Sequence, residues 1–126
     1  MANTDLKEVR ETYVTLRELV IQNPGGWDDA ASRLKAERLC NAGMQALDDA
    51  ECRERLRTVL EQARELFSRD GHLKWSRAKM SGADYLRLQI LIGLEAVNTR
   101  LFFIDAIRGR ASVQQPGQDF PPAFEH

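Results

Sequence analysis

Four stretches of the chain place apolar residues three or four positions apart, which is the spacing of one face of an α-helix. In the first stretch the repeating positions are Leu6, Val9, Tyr13, Leu16 and Val20. This stretch ends at "NPGG", residues 23–26, because a proline disfavours helix in the residue before it. The second helix is predicted from Trp27 to Leu47, with Asp28 and Asp29 in its first turn, where carboxylates suit the helix dipole.

A third and a fourth helix follow from the same spacing. Asp48 and Asp49 are predicted to open the third helix, and Gly71 to close it as a C-terminal cap. Its inward positions are Cys52, Leu56, Val59, Ala63, Leu66 and Phe67. Ser81 is predicted to cap the fourth helix, which runs to about Arg110.

The order of these elements predicts the fold class. No stretch shows the strict alternation of a half-buried strand, and the first connections between helices are short. We therefore predict an all-α fold, an antiparallel four-helix bundle, over residues 1–111. Residues 112–126, "SVQQPGQDFPPAFEH", contain three of the four prolines and no helical period, so they are predicted to form an extended C-terminal tail.

The fourth helix is apolar around more of its circumference than one buried face requires, and the excess includes Phe102, Phe103 and Ile107. Such a helix is either the central element of the bundle or one that keeps a face for a partner. In the tail, Phe120 and Phe124 lie on either side of a Pro-Pro pair. That composition suits an extended peptide that docks on an apolar groove, and the alternative is a disordered terminus.

Three charged residues interrupt the apolar surface of the fourth helix: Arg100, Asp105 and Arg108. Asp105 is predicted to pair with Arg108, three residues further on, at the rim of the bundle. The alternative is that the three charges border an apolar groove and orient a partner helix.

The connector "SRDGHLKWSRAKMSG", residues 68–82, carries the most concentrated positive charge in a chain whose net charge is −1. Lys74, Trp75, Arg77 and Lys79 form a predicted cationic edge. One interpretation is a plain loop, anchored by Leu73, Trp75 and Met80, whose cations extend into water. The others are an edge that contacts an acidic protein surface, or a nucleic-acid site in which Trp75 stacks on a base.

The sequence offers little for catalysis or metal binding. The two histidines, His72 and His126, do not supply the paired ligands of a di-iron or zinc site, and no glycine-rich phosphate loop is present. Cys40 and Cys52 lie on apolar helix faces and are predicted to be buried free thiols. We therefore expect no enzyme activity, no catalytic residues, no cofactor, no metal and no small-molecule substrate.

Location and partners follow from the same patterns. The first residues carry charges where a signal peptide needs an apolar run, and charged residues interrupt the apolar region 88–107, so a cytoplasmic protein without a membrane span is expected. The sequence favours a non-catalytic helical interaction module, an adaptor, chaperone or regulatory subunit, that uses the last helix and the tail. The alternatives are a nucleic-acid-associated regulator acting through residues 74–79 and a homodimer formed by two last helices. Residues 26–47, "GWDDAASRLKAERLCNAGMQAL", resemble small helical flagellar-export chaperones, and neither function nor site residues are carried over from them.

Overall fold

The computed structural model describes residues 4–22, 29–76 and 79–112, with side chains to residue 109, and its regular elements there are α-helices. They are α1 (Thr4–Gln22), α2 (Ala30–Ala46), α3 (Ala50–Leu66), α4 (Arg69–Lys74) and α5 (Gly82–Ser112). The all-α prediction is confirmed for these residues. The helix α5 continues to Ser112, one residue into the predicted tail, and residues 113–126 lie outside the described ranges.

Side-chain caps determine where the helices begin. Asp49 precedes α3 in an extended conformation and accepts a hydrogen bond from the Cys52 amide at 2.8 Å, as an N-cap does. Ser81 caps α5 as predicted, because its Oγ accepts from the Asp84 amide at 3.1 Å. The first-turn position predicted for Asp29 is wrong, since Asp29 is the N-cap of α2. Trp27 and Asp28 lie outside the described ranges.

The short helix α4 lies inside the predicted connector. The prediction that Gly71 ends the third helix is wrong: α3 ends at Leu66, and Phe67 is its cap. Ser68 then starts α4, accepting a hydrogen bond from the Gly71 amide at 3.3 Å. A serine able to cap a new helix stands immediately after the end of α3, and this local signal favours a second helix over a loop.

Each of the four long helices packs against two of the other long helices. The helix α1 contacts α2 and α5, α3 contacts α2 and α5, and α4 lies against α3 and α5. The Asp29 amide donates to the Phe67 carbonyl at 3.1 Å, which places the start of α2 beside the end of α3. The inward positions predicted for α3 are all buried, as are those of α1 except the half-buried Tyr13.

Two buried clusters fill the interior, and α5 contributes to both. The larger contains Phe67 with Leu86, Ile90 and Leu94 of α5, and the smaller contains Val97 and Leu101 with residues of α1 and α3. Cys40 lies in the larger cluster and Cys52 in the smaller, both as free thiols, which confirms their predicted burial. Because α5 contacts both α1 and α3 along this inner stripe, its opposite side faces solvent.

Candidate docking surface

The solvent side of α5 carries a row of residues, apolar except for Thr99, that we call the outer ridge. Its members are Leu88, Ile92, Ala96, Thr99, Phe103 and Ile107. They follow one another at three or four residues, so they lie along one face of the helix. Ile92 is 55% exposed and Phe103 is 53% exposed, whereas Leu94 and Leu101 of the inner stripe are fully buried. Large apolar side chains in a continuous exposed row are typical of interaction surfaces.

Phe102 lies beside the ridge, and it and the ridge residue Phe103 each lie near a different arginine. The Arg10 guanidinium carbon of α1 lies 5.9 Å from the ring centroid of Phe102, which is 60% exposed. The Arg100 guanidinium carbon lies 5.1 Å from the ring centroid of Phe103. Both distances suit cation–π attraction, and the two arginines orient the rings without covering them.

A shallow groove of about 390 Å³ runs beside Phe103, between α3 and α5. Its lining residues are Glu51, Arg55, Ala96, Thr99, Arg100 and Phe103. On the other side of the ridge, Glu95 accepts a hydrogen bond from the Tyr13 hydroxyl at 2.5 Å and lies 3.7 Å from Arg17 Nε. The hydrogen bond to Glu95 raises the pKa of Tyr13. The ridge is therefore bordered on each side by ion pairs that contain both signs of charge.

Arg100 connects α5 to the start of α3. Its Nε and Nη2 donate to the two carboxylate oxygens of Asp49 at 3.0 and 2.8 Å, and its Nη1 lies 3.6 Å from Glu51. The hydrogen bonds from Arg100 lower the pKa of Asp49 and raise that of Arg100 itself. Such a two-pronged contact fixes the helices in position as well as neutralising their charges.

Arg108 connects α5 to the start of α1. Its two terminal nitrogens donate to the carboxylate oxygens of Asp5 at 2.9 and 3.0 Å, and this contact lowers the pKa of Asp5. The sequence predicts Asp105 as the partner of Arg108, whereas the hydrogen bonds described above join Arg108 to Asp5, 103 residues away. The hydrogen bonds to Asp5 raise the pKa of Arg108, and the nearby charge of Asp105 adds to this shift.

The predicted cationic edge is divided between anchored and exposed residues. The Trp75 ring stacks on Tyr85 with centroids 5.2 Å apart, and its Nε1 donates to Glu65, while Lys74 Nζ lies 3.0 Å from the same carboxylate. Lys79 is exposed, and Arg77 lies outside the described ranges. These contacts attach Lys74 and Trp75 to α3 and α5.

The anchors of the connector differ from the predicted set. Leu73 is 67% exposed and Met80 is exposed as well, so neither holds the connector in place. His72 is buried instead, with its Nε2 2.5 Å from the Leu66 carbonyl oxygen. The α4 helix turns residue 72 inward and residue 73 outward, which a loop interpretation could not predict.

Of the remaining predicted site residues, one lies on the outer ridge and two lie outside the described residues. Ile107 lies on the outer ridge and is exposed, close to Phe103 along α5. Phe120 and Phe124 lie outside the described residues. The sequence did not single out Leu88, Ile92, Ala96 and Thr99 as site residues, although their spacing from Phe103 contains the signal.

The two buried thiols are not activated as nucleophiles. Burial raises the pKa of Cys40 to about 12 and that of Cys52 to about 11. A thiol reacts as its thiolate, so neither group is activated at neutral pH. Among the side chains of the described residues, no three His, Cys, Asp or Glu are grouped so as to hold a metal ion.

Comparisons of the chain with protein-family models, with curated proteins and with solved structures find no match. Across residues 4–22, 29–76 and 79–112, no helix combines the length and the apolar character needed to cross a membrane. The function of the chain is therefore inferred from the geometry of its own side chains.

Proposed function

We propose that this chain is a small non-catalytic interaction module, an adaptor, chaperone or regulatory subunit, built as an antiparallel four-helix bundle. The binding surface is the outer ridge of α5, extended by the tail. The observation that carries the proposal is the row of exposed large apolar residues along α5, in which Ile92 and Phe103 lie on either side of the small residues Ala96 and Thr99. A globular chain that needed α5 only for its core would place polar residues along this side.

The ridge suits an amphipathic helix as the ligand. Two neighbouring rows of side chains spaced by four residues form the ridges that pack into grooves of a facing helix. Full burial of one large apolar side chain contributes about 1.5–3 kcal/mol, so covering the exposed halves of Ile92 and Phe103 supplies about 2 kcal/mol in total. The ion pairs of Glu95 and Arg100 at the borders provide a polar rim.

The tail is proposed to contribute its two aromatic residues, Phe120 and Phe124, to the same surface. Residues 113–126 follow directly from α5, so a partner seated on the ridge lies within reach of them. An extended Pro-containing segment loses little conformational freedom on docking.

Nucleic-acid binding through the connector receives less support from these contacts. Lys74 and Trp75 are both engaged by Glu65, and Trp75 is stacked on Tyr85, so the indole face that a base would need already has a neighbour. The raised pKa values of both buried thiols fit the non-catalytic role.

The test is selection of binders from a library of amphipathic helical peptides, using the full chain as bait. Phe103→Asp should weaken the selected peptides by about tenfold or more, because a buried charge replaces an apolar contact. Leu73→Asp is the matched control, since Leu73 is an exposed apolar residue as well, at 67%, but lies on α4, away from the ridge. Phe120→Ser with Phe124→Ser should weaken binding less.

Circular dichroism should show that Phe103→Asp leaves the helix content unchanged. Peptides that bind the Phe103→Asp and Leu73→Asp chains equally well would show that the outer ridge is not the binding surface. Unfolding of the Phe103→Asp chain would assign Phe103 to the core, and Ile92→Asp then provides the second measurement.

A further inference from the structure

The intervals between successive residues of the outer ridge are the same whether they are counted from Leu88 or from Ile107. The six positions are separated by four, four, three, four and four residues, and the midpoint falls between Val97 and Asn98. We propose that the ligand of this ridge is a second copy of the chain, whose α5 crosses the first in the opposite direction about a twofold axis at that midpoint. This inference rests on the interaction role proposed above and names its partner.

A twofold axis at the midpoint sets each ridge residue opposite the one that lies equally far on the other side. Ile92 of one copy then meets Phe103 of the other, and Ala96 meets Thr99. The two small residues lie at the crossing point, where they let the helix axes approach to about 8 Å. The two large residues, Ile92 and Phe103, pack against each other on either side of this crossing point. The four central positions of the ridge thus find complementary positions on an identical surface.

The ridge also has the form needed for two helices to cross. Residues 88, 92 and 96 make one row with a spacing of four, and residues 99, 103 and 107 make a second. When such rows of two helices interdigitate, the axes cross at about 50°, the commonest class of helix packing. The helices then separate toward Leu88 and Ile107, which lie about 14 Å from the axis.

The charges that border the ridge are compatible with this symmetry. A twofold axis brings the α1 side of one copy to the α1 side of the other, so a border of one sign would repel itself. Each border instead contains both signs, as in the pairs of Arg100 with Asp49 and of Arg17 with Glu95. Arg10 lies over Phe102 on the same side of the ridge as Glu95. In the proposed dimer, Glu95 of the other copy is offset from Phe102 by only about 3 Å, measured along the helix axis.

The first test is sedimentation of the full chain over a range of concentrations. The expected result is a reversible dimer of twice the 14.3 kDa chain mass. Ile92→Asp and Phe103→Asp should each raise the dimer dissociation constant by about tenfold or more, with unchanged circular dichroism, and Leu73→Asp should not. A wild-type chain that remains monomeric at the highest attainable concentration would overturn the inference.

The second test fixes the direction of crossing with single cysteines. The Cα atoms of residue 99 in the two copies lie about 6 Å apart in the proposed arrangement, within the range of a disulfide, whereas those of residue 88 lie about 28 Å apart. Oxidation should therefore cross-link Thr99→Cys and leave Leu88→Cys uncross-linked. The native thiols are buried and do not interfere. Cross-linking of Leu88→Cys would overturn the antiparallel arrangement.

The two proposals fail in different ways. If the chain is monomeric but binds amphipathic peptides through Phe103, the proposed interaction role stands and a second copy is ruled out as its partner. A dimer that is insensitive to Ile92→Asp and Phe103→Asp rejects the ridge as the surface of self-association. A monomeric chain with no ridge-dependent peptide binding rejects both.

Discussion

Arg100 of α5 donates two hydrogen bonds to the carboxylate of Asp49, and Asp49 is also the residue that caps α3. One oxygen of this carboxylate, Oδ2, accepts from both Arg100 Nε at 3.0 Å and the Cys52 amide at 2.8 Å. The same side chain therefore stabilises the start of one helix and holds another helix against it.

Removal of this carboxylate is expected to destabilise the fold. Asp49→Ala should lower the free energy of unfolding by about 1–2 kcal/mol for the lost cap alone, and Asp49→Asn should cost less because an amide oxygen still caps. Urea denaturation followed by circular dichroism measures both. Asp48→Ala is the control, since that side chain is 102% exposed and should change stability by less than about 0.5 kcal/mol. Equal losses at positions 48 and 49 would contradict the dual role of Asp49.

Stability should fall in acid because the carboxyl groups of Asp5, Asp49 and Asp84 titrate at a lower pH in the folded chain. Arg108 lowers the pKa of Asp5 and Arg100 lowers that of Asp49, both from 3.8, so the folded state binds fewer protons than the unfolded state near that pH. The contribution is fully present above about pH 5 and is lost as the pH falls through the lowered folded-state pKa values.

Denaturation at pH 7 and pH 3 checks this titration. The stability difference between the wild type and Asp49→Asn should shrink at pH 3, because Asp49 in the unfolded chain titrates at its ordinary pKa of 3.8 and is then largely protonated. A difference that stays constant between the two pH values would show that this carboxylate does not titrate as described.

Gly71 and Gly82 are expected to resist substitution because each lies against backbone. A Cβ atom at Gly71 would meet the Glu65 carbonyl, and one at Gly82 would meet the His72 carbonyl. Alanine at either position should destabilise the chain by about 1–3 kcal/mol. Gly109→Ala is the matched control, since a Cβ added at this position would have nothing within 4 Å and alanine favours helix by about 1 kcal/mol over glycine. Thermal unfolding should show opposite shifts, and a gain in stability for Gly71→Ala would contradict the close approach.

Cys40 and Cys52 should be unreactive in the folded chain. Their pKa values of about 12 and about 11 leave almost no thiolate at pH 8, and burial blocks access. A disulfide reagent that releases a coloured thiol should detect both groups only after denaturant is added. Rapid modification of either thiol in the native chain would show that the surrounding helices open readily.

Trp75 is expected to be the one residue of the cationic edge that matters for stability. Trp75→Ala loses the stacking on Tyr85 and the hydrogen bond to Glu65, and should cost about 2 kcal/mol. Trp75→Phe retains a ring against Tyr85 and should cost less. Lys79→Ala should be neutral, because Lys79 is exposed. A neutral Trp75→Ala in urea denaturation would remove the anchor role.

The sequence predicts the local features of this fold well. Periodic spacing identifies α1, α2, α3 and α5, and the caps at Asp49 and Ser81 follow from residue type and position. These features depend on neighbours within one helical turn. The six-residue helix α4 is too short to show a period, so the sequence pattern predicts a loop there with Leu73 among its anchors.

The contacts that fix the surface are long-range, and local patterns do not contain them. Asp49 and Arg100 are separated by 51 residues, and Asp5 and Arg108 by 103. Many carboxylates could reach either arginine on spacing alone, and the choice is made by the packing of α5. The excess apolar surface of α5 was predicted, but which side is buried depends on its neighbours α1 and α3.

The arrangement of α5 has a consequence for how uniquely the chain folds. A helix with Leu94 and Leu101 on one side and Ile92 and Phe103 on the other could turn half a revolution about its axis and still bury apolar residues. Burial alone therefore discriminates weakly between the two rotational settings. Arg100 reaches Asp49 in only one of these two settings. This ion pair therefore selects one rotational setting of α5 more than it stabilises the fold. A chain with both Arg100 and Arg108 changed to methionine is expected to stay helical and to show doubled amide resonances along α5, one set for each setting.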